Sequence, residues 1–159
     1  MSLLDKEPVK RVEKFLKKFD QSLEVIVLVD SARTAQEAAS ALNCDVGAIV
    51  KSLLFKVEKS FILCLVAGDK RCSLNKLRNI KDIKNISMAS ADEVKTQTGY
   101  TIGGVSPVGH LNKVEILIDN SLNRFIDLYA AAGHPNCIFK INYDSIKKIT
   151  NGKIEDIVE

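Results

Sequence analysis

The residue best placed to do chemistry is Lys51, a lysine inside a run that otherwise resembles a buried strand. Successive strand side chains point to opposite faces, so Lys51 shares a face with Ile49, Leu53 and Phe55. An ammonium group is costly to bury unless an anion or a hydrogen-bond acceptor meets it. The pattern therefore indicates that a charged or carbonyl-bearing ligand reaches Lys51. The alternative is a lysine on an edge strand, which blocks aggregation while its ammonium group stays in water.

A glycine-rich segment is the second candidate, because residues 98–110 hold four of the eight glycines of the chain. Clustered glycines let a ligand approach the backbone closely, and such a loop can present N–H donors to a carbonyl oxygen or a phosphate. The segment is neither a Walker loop nor a dinucleotide fingerprint, since it lacks the Lys-Ser/Thr ending and does not begin a helix. A surface loop that only needs tight turns is the alternative.

A second turn, residues 130–136, lies between two predicted strands. Within it His134 can exchange a proton near neutral pH, and Asn136 can hydrogen-bond an amide or carboxyl group. The alternative is a turn that uses Gly, Pro and Asn only for their backbone preferences. Neither a Ser–His–Asp set nor a thiol–histidine pair follows from the spacing, so covalent catalysis is not expected.

Composition limits the classes of function. With 159 residues, 46% of them hydrophobic, the chain is expected to form one domain over residues 1–159. The net charge of +3 tolerates an anionic partner but lacks the strong basic bias of a stand-alone nucleic-acid binder. Aromatic residues are only 6% with no Trp, which argues against a base-stacking platform.

The cysteines and histidines predict neither disulfides nor a metal site. The four cysteines have no CxxC spacing and are expected to be free thiols. The two histidines have no partner at metal-ligand spacing, so neither a metal nor a cofactor is expected. The sequence shows no signal-peptide core and no apolar run near the roughly 20 residues of a membrane span. We therefore expect a cytoplasmic protein without membrane contact.

The elements that must position these residues are predicted from periodicity and capping residues. Apolar residues at helical spacing predict a first helix over residues 9–19. Further helices are expected after Thr34, after Ser73, from Ser90 to Gly99, and over residues 145–149. Strands are predicted at residues 24–29, 48–57, 61–67, 86–88, 114–119, 125–131 and 137–142. Because strands outnumber helices and neighbour one another, a mixed α+β domain is favoured over a doubly wound parallel sheet.

In their order and spacing, these motifs resemble the YbaK/prolyl-tRNA-synthetase-associated editing domain family. The resemblance rests on residues 50–55, 68–71, 98–110 and 132–136 and covers roughly residues 25–150. It implies a curved, partly barrel-like mixed sheet flanked by helices. It also implies hydrolysis of mischarged aminoacyl-tRNA, typically tRNA for proline. The chain is similar to free-standing, trans-acting members, with mischarged aminoacyl-tRNA as substrate and prolyl-tRNA synthetase as an expected partner.

The resemblance also assigns roles to residues. Lys51 matches the strand lysine that engages the acyl or terminal phosphate region of the substrate, and it is the expected catalytic residue. The substrate-binding residues are expected in two pocket-lining segments: Gly103, Gly104, Val105, Ser106, Pro107, Gly109, His110, Gly133, His134, Pro135 and Asn136. The second segment departs from the more basic stretch of the Cys-specific YbaK type. This departure favours Ala, Ser or Thr over Cys as the amino acid removed.

The expected mechanism needs no enzyme nucleophile. A positioned water attacks the ester, backbone N–H groups stabilise the developing oxyanion, and Lys51 adds positive charge. The vicinal ribose hydroxyl assists, as the resemblance suggests, and selection among amino acids is largely steric. Two alternatives stay open: a non-catalytic module that binds acylated tRNA ends or a synthetase, and a hydrolase of another small acyl ester.

Overall fold

Eight strands of one mixed sheet form the frame of the protein, which a computed structural model describes over residues 2–159. The strands are β1 Ile26–Val27, β2 Ile49–Val57, β3 Ser60–Ala67, β4 Ile86–Met88, β5 Glu115–Asp119, β6 Leu128–His134, β7 Cys137–Ile141 and β8 Lys153–Glu155. Their order is β1-β7-β6-β2-β3-β5-β8, with β4 also paired to β2. The β2–β3 and β6–β7 hairpins are antiparallel, whereas β2–β6, β3–β5 and β5–β8 are parallel. The mixed sheet confirms the predicted α+β class.

Five α-helices accompany the sheet, and most begin at the predicted caps. They are α1 Glu7–Phe19, α2 Ala35–Leu42, α3 Leu74–Lys81, α4 Ala91–Thr98 and α5 Tyr143–Thr150. The hydroxyl oxygens of Thr34 and Ser73 accept from the N–H three residues on, and Ser90 forms a complete capping box with Glu93. Three short 3-10 helices, Leu3–Asp5, Val46–Ala48 and Asn120–Arg124, complete the helical elements of the described residues.

The strand β2 divides its side chains between separate parts of the core. Val50 and Leu54 belong to the largest buried cluster, which also holds the apolar stripe of α1. On the other face, Ile49 packs with α2, while Phe55 packs in a cluster with residues of α3. Lys51 and Leu53 therefore fall between the parts of this face that α2 and α3 cover.

Three elements differ from the predictions. The strand expected at residues 24–29 is ordered as β1 only over Ile26–Val27, and Val29 is 99% exposed. The strand expected at residues 125–131 begins at Leu128 and continues to His134, because the 3-10 helix Asn120–Arg124 and a following turn come first. The strand β8 was not predicted, since Lys153–Glu155 contains a single apolar residue and therefore shows no alternation of apolar side chains.

Over residues 2–159, every helix falls short of the length and apolar character that crossing a bilayer requires. The four cysteines are free thiols, with Cys64 and Cys137 buried. In the same part of the chain, His, Cys, Asp and Glu side chains form no group of three or more that could hold a metal ion.

Candidate active site

Lys51 lies inside the sheet rather than at its edge. The strand β2 pairs with β3 on one side, where Lys51 is opposite Val66, and with β6 and β4 on the other. The Lys51 side chain is half-buried, and its Nζ donates a hydrogen bond to the backbone carbonyl of Lys70. Burial lowers the pKa of Lys51 below its usual value, while Cys72 and Asp69 act in the opposite direction. The alternative of an aggregation-blocking edge lysine is therefore wrong.

A gap in strand pairing opens next to Lys51. Within residues 2–159, β6 pairs with β2 only as far as Val50, and β4 pairs only with the last three residues of β2. Backbone groups point alternately to the two sides of a strand, and the Leu54 carbonyl accepts from Ala89 on the β4 side. The N–H and carbonyl of Ser52 therefore point into the gap. The Ser52 hydroxyl oxygen is also buried and finds no hydrogen-bond partner in the described chain.

A cavity of about 310 Å³ with mostly apolar walls lies at the gap. The start of α2 and the residues before it form one wall, and β6 and β7 form another. Gly103 and Val105 of the glycine-rich loop and Pro135 of the second turn line the same cavity as Lys51. Five further lining residues are alanines: Ala32, Ala35, Ala38, Ala130 and Ala131. These short side chains leave space beside Lys51 for a ligand group.

A wider cleft of about 1000 Å³ meets this cavity at Lys51 and Leu53, which line both spaces. The cleft is more polar than the cavity, and its walls include the turn of residues 68–71, the start of α3 and Gln36 of α2. Lys70 and Arg71 bring two further cationic residues to the cleft. One ammonium group thus lies where a small apolar cavity and a large polar cleft join.

The front of the glycine-rich loop, residues 103–105, packs directly against the second turn. The Gly133 N–H donates to the Gly104 carbonyl at 3.0 Å, and a Cβ at Gly104 would come within 2.9 Å of the His134 backbone nitrogen. Gly103 and Gly133 have φ of +95° and +90°, which favours glycine. Gly104 is therefore required by the close approach of the His134 backbone, and Gly103 and Gly133 are required by their positive φ.

The rear of the loop, residues 106–110, packs in a different part of the molecule. Pro107, Gly109 and His110 line a separate groove near α1 and α5, away from the Lys51 cavity. Ser106 is fully buried, and its carbonyl is 2.7 Å from Nε2 of His110. The structure thus does not bring Gly109 and His110 to Lys51, because the rear of the loop is used in packing.

His134 and Asn136 are engaged within the second turn. The Asn136 side-chain amide donates to the Leu28 carbonyl at 3.2 Å, and Nδ1 of His134 accepts from the Asn136 backbone N–H at 3.0 Å. Burial lowers the pKa of His134, and the cations Lys6 and Arg33 act in the same direction. The His134 side chain thus shapes the turn from within, and the Asn136 side chain fixes the turn to the segment after β1.

Sequence reasoning missed the α2 wall of the cavity. Arg33, Ala35 and Ala38 line it, yet this stretch had been predicted only as a capped helix. The sequence held no signal for this wall, but it held one for the wall opposite: Ala130 and Ala131, in the run of three alanines before Gly133, leave space beside the strand.

Comparison with known proteins extends these observations. A family model for the aminoacyl-tRNA editing domain matches residues 29–149. The uncharacterized protein YwhH of Bacillus subtilis is 30% identical over 147 residues, which are 92% of this chain and 93% of YwhH. The proline–tRNA ligase of Kosmotoga olearia is 35% identical over 120 residues, which are 75% of this chain but only 19% of the ligase.

A solved structure agrees in fold along almost the whole chain. A crystal structure described as a candidate trans-editing enzyme for prolyl-tRNA synthetase superposes with a TM-score of 0.91 and 35% identity. The match covers 97% of this chain and 98% of that chain.

Proposed function

This chain belongs to the aminoacyl-tRNA editing domain family, and on that premise we propose that it hydrolyses the ester of mischarged aminoacyl-tRNA. The family match, the prolyl-tRNA ligase relatives and the trans-editing neighbour support an editing role connected with prolyl-tRNA. The observation that carries the proposal is the position of Lys51 where the small cavity meets the polar cleft. An aminoacyl ester needs both spaces, because its acyl group is small while its nucleoside is large and polar.

The two spaces suit the two halves of this substrate. The alanine-lined cavity of about 310 Å³ would take the amino acid, and the cleft of about 1000 Å³ would take the terminal adenosine. Lys70 and Arg71 at the cleft would meet phosphate oxygens, because charge-assisted hydrogen bonds to phosphate are strong. Lys51 would then lie beside the ester that joins the two halves.

Hydrolysis in this site would proceed by attack of a positioned water on the ester carbonyl. Backbone N–H groups at the gap and in the glycine-rich loop would stabilise the developing oxyanion, and a donor of this kind contributes about 2.7–4 kcal/mol in other enzymes. Lys51 would add charge, and the vicinal ribose hydroxyl would assist. The Cys137 thiol lines the cavity, but burial raises its pKa, which keeps it protonated and poorly nucleophilic.

Selection among amino acids would be steric. The resemblance to editing domains favours Ala, Ser or Thr as the amino acid removed, and the cavity would reject proline by the shape of its ring, because Pro and Thr are of similar size. The preferred substrate would then be tRNA for proline that carries one of these small residues. The partner would be prolyl-tRNA synthetase, which is the source of the mischarged tRNA. One methylene distinguishes substrates by about 1–3 kcal/mol in an apolar pocket, which is sufficient for a second sieve.

Release of amino acid from alanyl-, seryl-, threonyl-, cysteinyl- and prolyl-tRNA for proline tests this function. We expect release of the small residues and none of proline, with a fall of about 10²–10³-fold in Lys51→Ala. The matched control is Lys56→Ala, a lysine of the same strand that lies outside both spaces and pairs with Glu93. Cys137→Ala should stay active, and its complete inactivation would contradict the water mechanism.

A non-catalytic binding module is the alternative function. Tight binding of charged tRNA without release of any amino acid would establish that module instead. Turnover of free small esters, with none of charged tRNA, would favour a different hydrolase.

A further inference from the structure

Arg124 holds the turn beside Lys51 through a two-point ion pair. Its two terminal nitrogens donate to the two carboxylate oxygens of Asp69, at 2.7 and 2.9 Å. The Nε of Arg124 donates to the Ser121 carbonyl at 2.7 Å, and the guanidinium lies 4.9 Å from the centre of the Phe125 ring. The guanidinium is therefore fixed by three separate groups.

Asp69 lies next to the group that holds Lys51. It precedes Lys70, whose carbonyl accepts the hydrogen bond from Lys51 Nζ. Asp69 and Lys51 also line the same cleft, and the Asp69 charge raises the pKa of Lys51. The carboxylate is thus close enough to influence the ammonium while it remains bound to Arg124.

A second carboxylate, Asp119, acts on the Lys51 charge in the same direction but is not free to move. It is fully buried, and its oxygens accept from the Ala67 N–H at 3.0 Å and the Ser121 N–H at 2.8 Å. The Asp69 side chain, by contrast, is 29% exposed at the surface of the cleft. Of these two carboxylates, Asp69 is the one that could turn toward Lys51.

We propose that Arg124 is a positioning residue that keeps the Asp69 carboxylate away from Lys51, so that the ammonium stays available to substrate. The proposal rests on the proposed function, because the competing ligand of Lys51 is then the phosphate or carbonyl oxygen of an acylated tRNA end. If Arg124 were absent, Asp69 would pair with Lys51 and compete with that oxygen. Since exposed ion pairs add little to folding, the effect should appear at the site rather than in stability.

A double-mutant cycle on the full chain tests this role. The chain itself, Arg124→Ala, Asp69→Asn and the double variant are compared for kcat and KM on alanyl-tRNA for proline, with Tm as a check of folding. We expect Arg124→Ala to lower kcat/KM about tenfold, mainly through KM, because a coupled pair of charges commonly has an effect of this size. Asp69→Asn should lose less than about threefold, and the double variant should match Asp69→Asn.

The cycle can overturn the proposal in two ways. Arg124→Ala with unchanged kinetics would show that the ion pair does not matter to the site. A double variant as impaired as Arg124→Ala would show that Arg124 acts without Asp69. The variant Arg124→Lys keeps the charge but not the two-point geometry, and intermediate kinetics are expected.

A second readout does not depend on activity. The pKa of Lys51, followed through its side-chain ¹³Cε signal by NMR and assigned with Lys51→Ala, should rise in Arg124→Ala and not in the double variant. An unchanged Lys51 pKa in Arg124→Ala would overturn the proposal even if activity fell. If the chain released no amino acid from any charged tRNA, the proposed function would fail, and the titration alone would decide the role of Arg124.

Discussion

The front and the rear of the glycine-rich loop both contain glycine, but glycine has a different role in each. At the front, Gly103 and Val105 line the cavity beside Lys51. At the rear, the Gly109 carbonyl accepts from Nε of Arg11 at 2.6 Å, and a Cβ at Gly109 would come within 2.7 Å of the Tyr100 hydroxyl. Glycine at the rear therefore makes room for packing, so clustered glycines alone do not identify a binding site. Substitutions at the front should change activity, and those at the rear should change stability.

Among substitutions in the loop, Gly104→Ala, at the front, should have the largest effect. The new Cβ would meet backbone atoms of His134, which cannot move aside as a side chain can. We expect kcat/KM to fall at least about tenfold and the free energy of unfolding to fall by about 1–3 kcal/mol. Deacylation kinetics and thermal unfolding measure the two effects.

Its matched control is Gly109→Ala at the rear, where φ is +75°. This variant should lose stability while the folded fraction keeps its activity. Equal loss of activity in Gly104→Ala and Gly109→Ala, each corrected for the folded fraction, would remove the distinction between the two ends.

Tyr100→Phe should have the next largest effect and is confined to stability. The Tyr100 hydroxyl donates to the Val108 carbonyl at 2.7 Å and lies 3.1 Å from the Gly109 carbonyl. Burial raises the pKa of Tyr100 to about 12, so the hydroxyl stays protonated at neutral pH. Removing a buried donor should lower the free energy of unfolding by about 1–3 kcal/mol, measured by urea denaturation. A change in kcat without a change in stability would contradict the assigned role of the rear.

The smallest expected effect is a dependence of stability on pH that comes from the rear. Burial lowers the pKa of His110 below its usual 6.5, the Ser106 carbonyl opposes this, and Arg11 adds to it. The unfolded chain therefore binds a proton first as pH falls below about 6.5, and the folded state loses stability until His110 itself is protonated. In His110→Gln, Tm should fall less between pH 7 and pH 5.

His134, in the second turn that packs against the front, provides the comparison with His110. The pKa of His134 is also lowered by burial, so His134→Gln should flatten the pH profile in the same direction. Burial is the largest cause of the lowered pKa in both histidines, so the two variants are compared over the same pH range. A larger effect of His134 would show that the turn, not the rear of the loop, controls acid sensitivity.

The features that could be predicted are those that depend on residues close together in the sequence. The alternation around Lys51 predicted its face correctly, and the caps at Thr34, Ser73 and Ser90 were found where expected. These features depend on residues within one or two turns of chain, which is why a pattern shows them.

The remaining features depend on contacts between distant residues. The strand β2 lies inside the sheet because Ile49 pairs with Tyr129, far along the chain. The hydrogen bond from Arg11 to Gly109 spans 98 residues, and the ion pair of Asp69 with Arg124 spans 55. No local pattern encodes such pairs, so the division of the loop and the α2 wall of the cavity could not be predicted.

The interruption beside Ser52 has a consequence for association between molecules. Unpaired backbone groups at the rim of a sheet invite a strand from another chain. Here the interruption lies between the β6 pairing, which ends at Val50, and the β4 pairing, which starts at Phe55. An incoming strand of typical length, about 5–6 residues, would not fit between them. At this interruption, the protein can therefore offer free peptide groups to a small ligand without providing a template for intermolecular sheet growth.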